Sequence, residues 1–194
     1  MPAARAAQVE VEVTRNGRRF EVKAVASLRA DVATAFATLT DYEQLPRFVP
    51  DVREVRIVRR EFHPGEPIAR PESKATERLL IDQRGDYHIW WFSQPVQVRL
   101  DVVHLNGDEV RALLAPMPAP ADSEVGRLES FSGHYRIETI ANENGAAAVR
   151  LYYDAHFVPH FDVPRLIGTQ AVRHTVSEQF SAMAREIERR FAAR

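Results

Sequence analysis

The closest grouping of potential metal ligands is the stretch DAHFVPHFD, which holds Asp154, His156, His160 and Asp162. Zinc needs three or four nitrogen, oxygen or sulfur ligands converging on one point. Asp154 and His156 share a strand face, but Pro159 bends the chain before His160, and spacing fixes no fourth ligand. Solvated polar residues are the better account, so neither a metal nor a cofactor is expected. Cysteine is absent, which removes thiolate metal sites, disulfides and cysteine nucleophiles together. The scattered serines form no nucleophile elbow, and there is no glycine-rich phosphate loop. Arginines cluster at Arg53, Arg56, Arg59 and Arg60 and again at Arg185, Arg189, Arg190 and Arg194. Glu54, Glu61, Glu186 and Glu188 are interleaved with them, as on ordinary solvated faces. With 26 basic and 27 acidic residues and a pI near 6.7, no overall field draws the chain to nucleic acid, and no such partner is expected.

The elements that would position any site follow from periodicity. The chain has 194 residues, 45% of them hydrophobic, enough for one domain over 1–194 with a sizeable core. The segment MPAARAAQVEVEV carries no apolar stretch of secretory type, and no apolar run approaches the roughly 20 residues of a membrane span. A soluble, cytoplasmic protein is expected. Val9, Val11 and Val13 alternate with charged neighbours, and Phe20, Val22, Ala24, Ala26 and Leu28 repeat the pattern. This period of two marks half-buried strands. Asn16-Gly17 between them suits a type I′ turn, so a hairpin over about 8–28 opens the domain.

From Asp31 the period becomes helical, through Val32, Ala35, Phe36 and Leu39. Tyr42, Leu45, Phe48 and Val49 continue it, but Pro46 and Pro50 break the ladder into a second short turn. Strands follow near 55–62, 75–83, 87–105, 109–115, 128–140 and 147–158. Their separators are Arg84-Gly85-Asp86, Asn106-Gly107-Asp108, PMPAPADSEVG and Asn142-Glu143-Asn144-Gly145. Short separators imply antiparallel neighbours. A helix over about 164–192 closes the chain, with Asp162 as a cap and Pro164 in its first turn. Leu166, Val172, Val176, Phe180, Met183, Ile187 and Phe191 share its apolar face, and it is long enough to cross a sheet.

TDYEQLPRFVPDVREVRIV, the opening strand and helix Val22 to Leu39, and the closing ESFSGHYRIETI, Val149–Phe157 and VPRLIGTQAVRHTVSEQFSAMAREIERR together resemble the START-like (SRPBCC, helix-grip) superfamily. The nearest branch is that of polyketide cyclases and coenzyme Q-binding proteins. The resemblance spans nearly the whole chain. It implies an α+β helix-grip fold: a curved antiparallel sheet of six to seven strands wrapped around a long C-terminal helix, with two short helices after the first strand.

Such a fold leaves an apolar space where sheet and helix diverge, the default ligand site of such a domain. Strand parity directs Phe131, Tyr135, Tyr153 and Phe157 inward, and Trp90 with Phe92. Phe36, Tyr42, Leu45 and Phe48 would form a wall, with Val172, Val176 and Phe180 on the helix. Arg84–Asp86, the loop Pro116–Gly126 and the junction Pro159–Val163 emerge at one end of the sheet and would frame an entrance, unless the loop is a variable insertion. The expected function is binding or transport of a hydrophobic small molecule: a lipid, an isoprenoid or quinone, or a polyketide-like compound. The alternatives are a polyketide cyclase/aromatase-type enzyme and a ribosome- or protein-interaction module. The reading favours a binder without catalytic residues. Were the protein an enzyme, it would be polyketide cyclase/dehydratase-like, with Tyr135 and Tyr153 supplying hydroxyls. As plain buried tyrosines, these two would instead be satisfied by backbone partners.

Overall fold

A computed structural model describes residues 8–62, 75–89, 92–117, 125–140, 146–163 and 168–194. The strands are β1 (Gln8–Asn16), β2 (Arg19–Leu28), β3 (Val52–Phe62), β4 (Ala75–Ile89), β5 (Phe92–Leu105), β6 (Glu109–Leu114), β7 (Leu128–Thr139) and β8 (Val149–Pro159). The helices are α1 (Val32–Leu39), α2 (Leu45–Phe48) and α3 (Gly168–Ala192), with a 3-10 turn at Tyr42–Gln44. One antiparallel sheet takes the order β1-β2-β8-β7-β6-β5-β4-β3. The architecture is α+β with a C-terminal helix, as expected.

The sheet has eight strands rather than six or seven. The extra edge is β1, which pairs with β2 along its whole length, from Gln8↔Ser27 to Asn16↔Arg19. The short helices consequently follow the second strand, not the first. That pairing leaves Gly17 and Arg18 as the two loop residues. Positive φ falls on Gly17 (62°) and not on Arg18, the II′ pattern with glycine first rather than the expected I′.

Arg84-Gly85-Asp86 is not a turn. β4 runs through it to Ile89, with Gly85 opposite Val96 on β5 and Val52 on β3. The strands expected at 75–83 and 87–105 are therefore β4, which ends at Ile89, and β5, which starts at Phe92. A glycine is required at 85 for another reason. The chain leaving Pro50 turns through Asp51 at φ 65°, and the Asp51 carbonyl oxygen sits where a Cβ on Gly85 would be. That carbonyl accepts the Asp86 N–H at 2.9 Å, and Arg53 Nε donates to the Asp86 carboxylate at 2.6 Å. The broken-helix segment is thereby clamped to β4, next to the β3 edge of the sheet.

At its other end the same segment is held by α1 and α3. Asp31 caps α1, accepting from Thr34 N–H and Thr34 Oγ1, each at 2.6 Å, which satisfies a first-turn donor. The buried Thr38 hydroxyl donates to Thr34 O at 2.8 Å. Near the end of α3, Arg190 donates to Asp41 at 2.9 Å and lies over the Phe48 ring at 5.4 Å. Arg194 reaches Asp31 at 3.1 Å. α3 packs against β1, β2, β4 and α1. Val172, Phe180, Met183 and Ile187 are buried beneath it, each contributing about 1.5–3 kcal/mol through apolar burial. Pro164 and Leu166 lie outside the described residues.

The outer face of the sheet carries ion pairs. Arg99 grips Asp82 through two hydrogen bonds, at 2.6 and 2.8 Å, with Arg56 at 3.2 Å. Arg78 grips Asp101. On α3, Arg189 and Arg190 both donate to Glu186 at 2.7 Å. The hydrogen bond from Arg189, then that from Arg190, holds the Glu186 carboxyl down at about 2. The same cause depresses Asp82 through Arg99 and Asp101 through Arg78. A depressed carboxyl stabilises the fold above its unfolded pKa, and that contribution is lost as pH falls through the folded value. Denaturant stability should thus decline from roughly pH 4.5 down to about 2. Glu186→Gln should remove part of the decline, less than about 1 kcal/mol because its arginine partners are solvated. Urea titrations of both proteins at pH 7, 4 and 2.5 measure this, and an unchanged acid profile in the variant would contradict it.

Candidate functional site

Between the sheet's inner face and α3 lies an apolar space in two adjoining compartments of about 310 and about 200 Å³. They share walls from Val52, Gln83, Val96, Val98, Leu128, Phe131, Tyr153 and Gln179. The larger compartment extends under α1 and the Tyr42–Phe48 segment to Leu39, Tyr42, Leu45, Tyr135 and Met183. The smaller reaches Gly85, Asp86, Phe157, Pro159, Phe161, Val163, Val172 and Val176.

Alternation builds these walls. β5 sends Val96, Val98, Leu100 and Val102 inward, and β4 sends Ile81 and Gln83, each to the compartments. On β8 the inward set is Val149, Leu151, Tyr153, Ala155 and Phe157; Val149 and Leu151 pack into the core while Tyr153, Ala155 and Phe157 reach the cavity. Gly133 on β7 makes room for the Phe131 ring, which lies 2.9 Å from where a Cβ on Gly133 would stand.

Of the residues expected to bind, Tyr42, Leu45, Phe131, Tyr135, Tyr153, Phe157, Val172 and Val176 border one or both compartments. Phe36, Phe48 and Phe180 do not border these compartments. Phe36 stands edge-on to the His104 ring at 5.4 Å, Phe48 lies under Arg190, and Phe180 is buried against Tyr153 with centroids 6.4 Å apart. Helical spacing points all three inward, but inward there means into packing. Trp90 and the Phe92 side chain lie outside the described residues, as does most of the Pro116–Gly126 loop. Of the residues expected at the entrance, Gly85, Asp86, Pro159, Phe161 and Val163 border the smaller compartment, the first two from within β4 and not from a turn at the end of the sheet. Gly126 bridges to Val96, its Cα beside the Phe161 ring, close to Gly85, Asp86 and Pro159 on the rim of the smaller compartment.

The tyrosines depart from expectation. Tyr135 and Tyr153 stack with centroids 4.3 Å apart, yet neither hydroxyl has a hydrogen-bond partner among the described residues. Neither oxygen is a sealed orphan, because both rings border the cavity. Burial pushes both phenols well above their ordinary pKa, so they are neutral donors at any physiological pH and not bases. Gln83 and Gln179 are the polar wall residues that the sequence reading missed, and their amides make no hydrogen bond among the described residues. Parity would have found them. Gln83 follows Leu79 and Ile81 by twos, and Gln179 falls between Val176 and Met183 on the helical stripe. Half-buried amides left this way on a cavity wall are available to whatever fills the space.

DAHFVPHFD does not assemble a site. Asp154 is exposed, and His160 Nδ1 pairs with Glu129 at 3.3 Å. No group of three or more His, Cys, Asp or Glu side chains is placed to hold a metal among the described residues. No helix among them is long and apolar enough to cross a membrane.

Residues 28–184 match the family described as polyketide cyclase / dehydrase and lipid transport. Among solved structures, the chain is similar to a STAR-related lipid transfer protein from Xanthomonas axonopodis. The two are 15% identical with a TM-score of 0.67, over 96% of each chain. It is also similar to a START superfamily protein from Mycobacterium smegmatis, at 14% identity and a TM-score of 0.57 over 89% of this chain and 97% of that one. The Zhui aromatase/cyclase from a Streptomyces species is 15% identical with a TM-score of 0.57, over 89% and 95%. At these identities the likeness concerns the fold. None of the curated proteins matches.

Proposed function

Because the chain belongs to the polyketide cyclase / dehydrase and lipid transport family, we propose that it binds a hydrophobic small molecule between its sheet and α3. The observation that carries this is the apolar two-compartment space, whose unpartnered polar groups, among the described residues, include the phenols of Tyr135 and Tyr153, the amides of Gln83 and Gln179 and the hydroxyl of Thr175. Its larger compartment, about 310 Å³, is on the scale of small-molecule clefts. A packed core would have evolved no such unpartnered groups, since an unfilled polar lining costs stability. Lipid, isoprenoid and polyketide-like ligands all fit this chemistry. The interaction-module alternative calls for a filled interior and is the weaker reading. The proposal takes 1–194 as one domain and places it in the cytoplasm.

The test is thermal unfolding of delipidated protein with fatty acids, isoprenoid quinones and aromatic polyketides. At a hundredfold excess over Kd a ligand adds about 2.7 kcal/mol, a Tm rise of roughly 5–10 °C for a chain this size. No shift across the panel would sink the proposal. Native mass spectrometry of freshly purified protein adds the identity of any retained ligand.

One observation favours the enzyme as second reading. Two neutral phenols 4.3 Å apart by ring centroid, without hydrogen-bond partners among the described residues, could both donate to a developing enolate oxygen in a polyketide cyclisation. Tyr135→Phe or Tyr153→Phe would then abolish turnover while keeping binding.

A further inference from the structure

Where the larger compartment passes under α1, a chain of polar side chains ends on its wall. The Tyr42 hydroxyl lies 2.7 Å from His104 Nε2. His104 Nδ1 lies 2.9 Å from Glu77 Oε2, and Arg60 Nε lies 3.2 Å from the other Glu77 oxygen. Glu77 and His104 face each other on one rung of the β4–β5 ladder. Parity puts both inward, beside Leu79 and Val102. His104 is 4% exposed and Tyr42 6%, and of the four residues only Tyr42 borders the compartment.

The proton positions follow from the partners. Glu77 meets His104 through Oε2 and faces the Arg60 guanidinium through Oε1, an ion-pair contact without hydrogen-bond geometry, and a carboxylate oxygen only accepts. His104 Nδ1 must therefore carry the hydrogen, which leaves Nε2 as a lone pair. The Tyr42 O–H then donates to Nε2. Burial holds His104 below its ordinary pKa, against the upward pull of Glu77, so the imidazole is neutral and the arrangement persists at neutral pH. A phenol whose hydrogen is committed in this way offers its cavity side only a lone pair. Tyr135 and Tyr153 differ, since their hydroxyls are free to rotate. Tyr42, Tyr135 and Tyr153 all border the larger compartment, which puts the three phenols around one space.

We propose that the Arg60–Glu77–His104–Tyr42 chain fixes the Tyr42 oxygen as a hydrogen-bond acceptor for a donor on the bound molecule. The cavity would thereby select an apolar ligand that carries an alcohol or phenol hydroxyl. A ligand presenting a carbonyl or ether there would set acceptor against acceptor. The inference rests on the binding reading and narrows its ligand class.

The test compares 2-naphthol with 2-methoxynaphthalene, which keeps the oxygen and loses the donor, by calorimetric titration of the delipidated full chain. The wild type should bind the naphthol about tenfold tighter, the scale of one buried hydrogen bond. Tyr42→Phe should bring the ratio to within about twofold, by weakening the naphthol and by relieving the acceptor clash with the methoxy compound. Val58→Ala, at a position 43% exposed, should keep the ratio. No preference in the wild type, or a preference that survives Tyr42→Phe, overturns the inference. If Tyr42→Phe does not fold, the 15N shifts of His104 in the wild type decide, because a hydrogen on Nε2 overturns it and one on Nδ1 upholds it. Methoxynaphthalene bound without hydroxyl preference defeats this inference alone. If neither these probes nor the lipid panel binds, the binding reading itself fails.

Discussion

Val98→Trp should lower ligand affinity by at least about a hundredfold and leave the protein folded, with a melting temperature equal to or above that of the wild type. Val98 is inward on β5, 9% exposed, and borders both compartments where they join. An indole there projects into existing space. The volume it adds over an isopropyl group is smaller than the larger compartment, so the change fills a void instead of overpacking a core. Void filling is neutral to stabilising, whereas insertion into close-packed regions costs about 1–3 kcal/mol. The two outcomes separate cavity from core at one position. Val58→Trp, on the same sheet but 43% exposed, is the control and should change neither quantity. The measurement is calorimetric titration with whichever panel ligand gives the largest thermal shift, alongside melting curves. Full affinity in Val98→Trp would place the ligand elsewhere. A melting point lowered by many degrees would mean that the space is not open in solution.

How far the chain discloses this site can be traced residue by residue. Period-two alternation identifies the inward set of β7 and β8, because a strand has only two faces and one is buried. Tyr135, Tyr153 and Phe157 are therefore legible. Helical periodicity reports less. Phe36, Phe48 and Phe180 read as inward and are, but spacing cannot distinguish a cavity wall from a ring packed on His104, under Arg190 or against Tyr153. Glu77 and His104 escaped because each is a single polar residue in an apolar alternation. Their meaning depends on the β4–β5 register, and that register was hidden by reading Arg84-Gly85-Asp86 as a turn. Carrying β4 through Gly85 to Ile89 aligns Glu77 with His104. Likewise the phenols of Tyr135 and Tyr153 could be placed but not judged satisfied or free, since hydrogen-bond partners from other elements leave no local pattern.

Gly85→Ala carries the second large effect, and two opposing terms decide its sign. Away from tight contacts, Gly→Ala in a strand of ordinary φ stabilises by about 0.4–1 kcal/mol, because the unfolded chain loses freedom. Gly85 has no positive φ, so its own backbone accepts alanine. The contact decides otherwise. The new methyl would fall on the Asp51 carbonyl oxygen, a backbone atom already fixed by Pro50, by the positive φ of Asp51 and by its bond to Asp86 N–H at 2.9 Å. Backbone cannot swing aside as a side-chain tip can. Either the Asp51 turn moves and that bond is lost, or β4 bulges away from β3. An overpacking penalty plus one lost hydrogen bond outweighs the entropic gain and leaves a net destabilisation of about 2–4 kcal/mol. That corresponds to a Tm lower by roughly 5–15 °C. Because Val52 follows Asp51 and borders both compartments, the ligand-induced Tm rise should shrink as well. Gly17→Ala separates the mechanisms. Its φ of 62° strains an alanine by about 1–2 kcal/mol, but nothing lies within 4 Å of the added methyl, so stability falls and ligand response does not. A Gly85→Ala protein melting within about 2 °C of the wild type would mean that the Asp51 carbonyl is not seated on β4, and that the broken helix is free to swing from the cavity it covers.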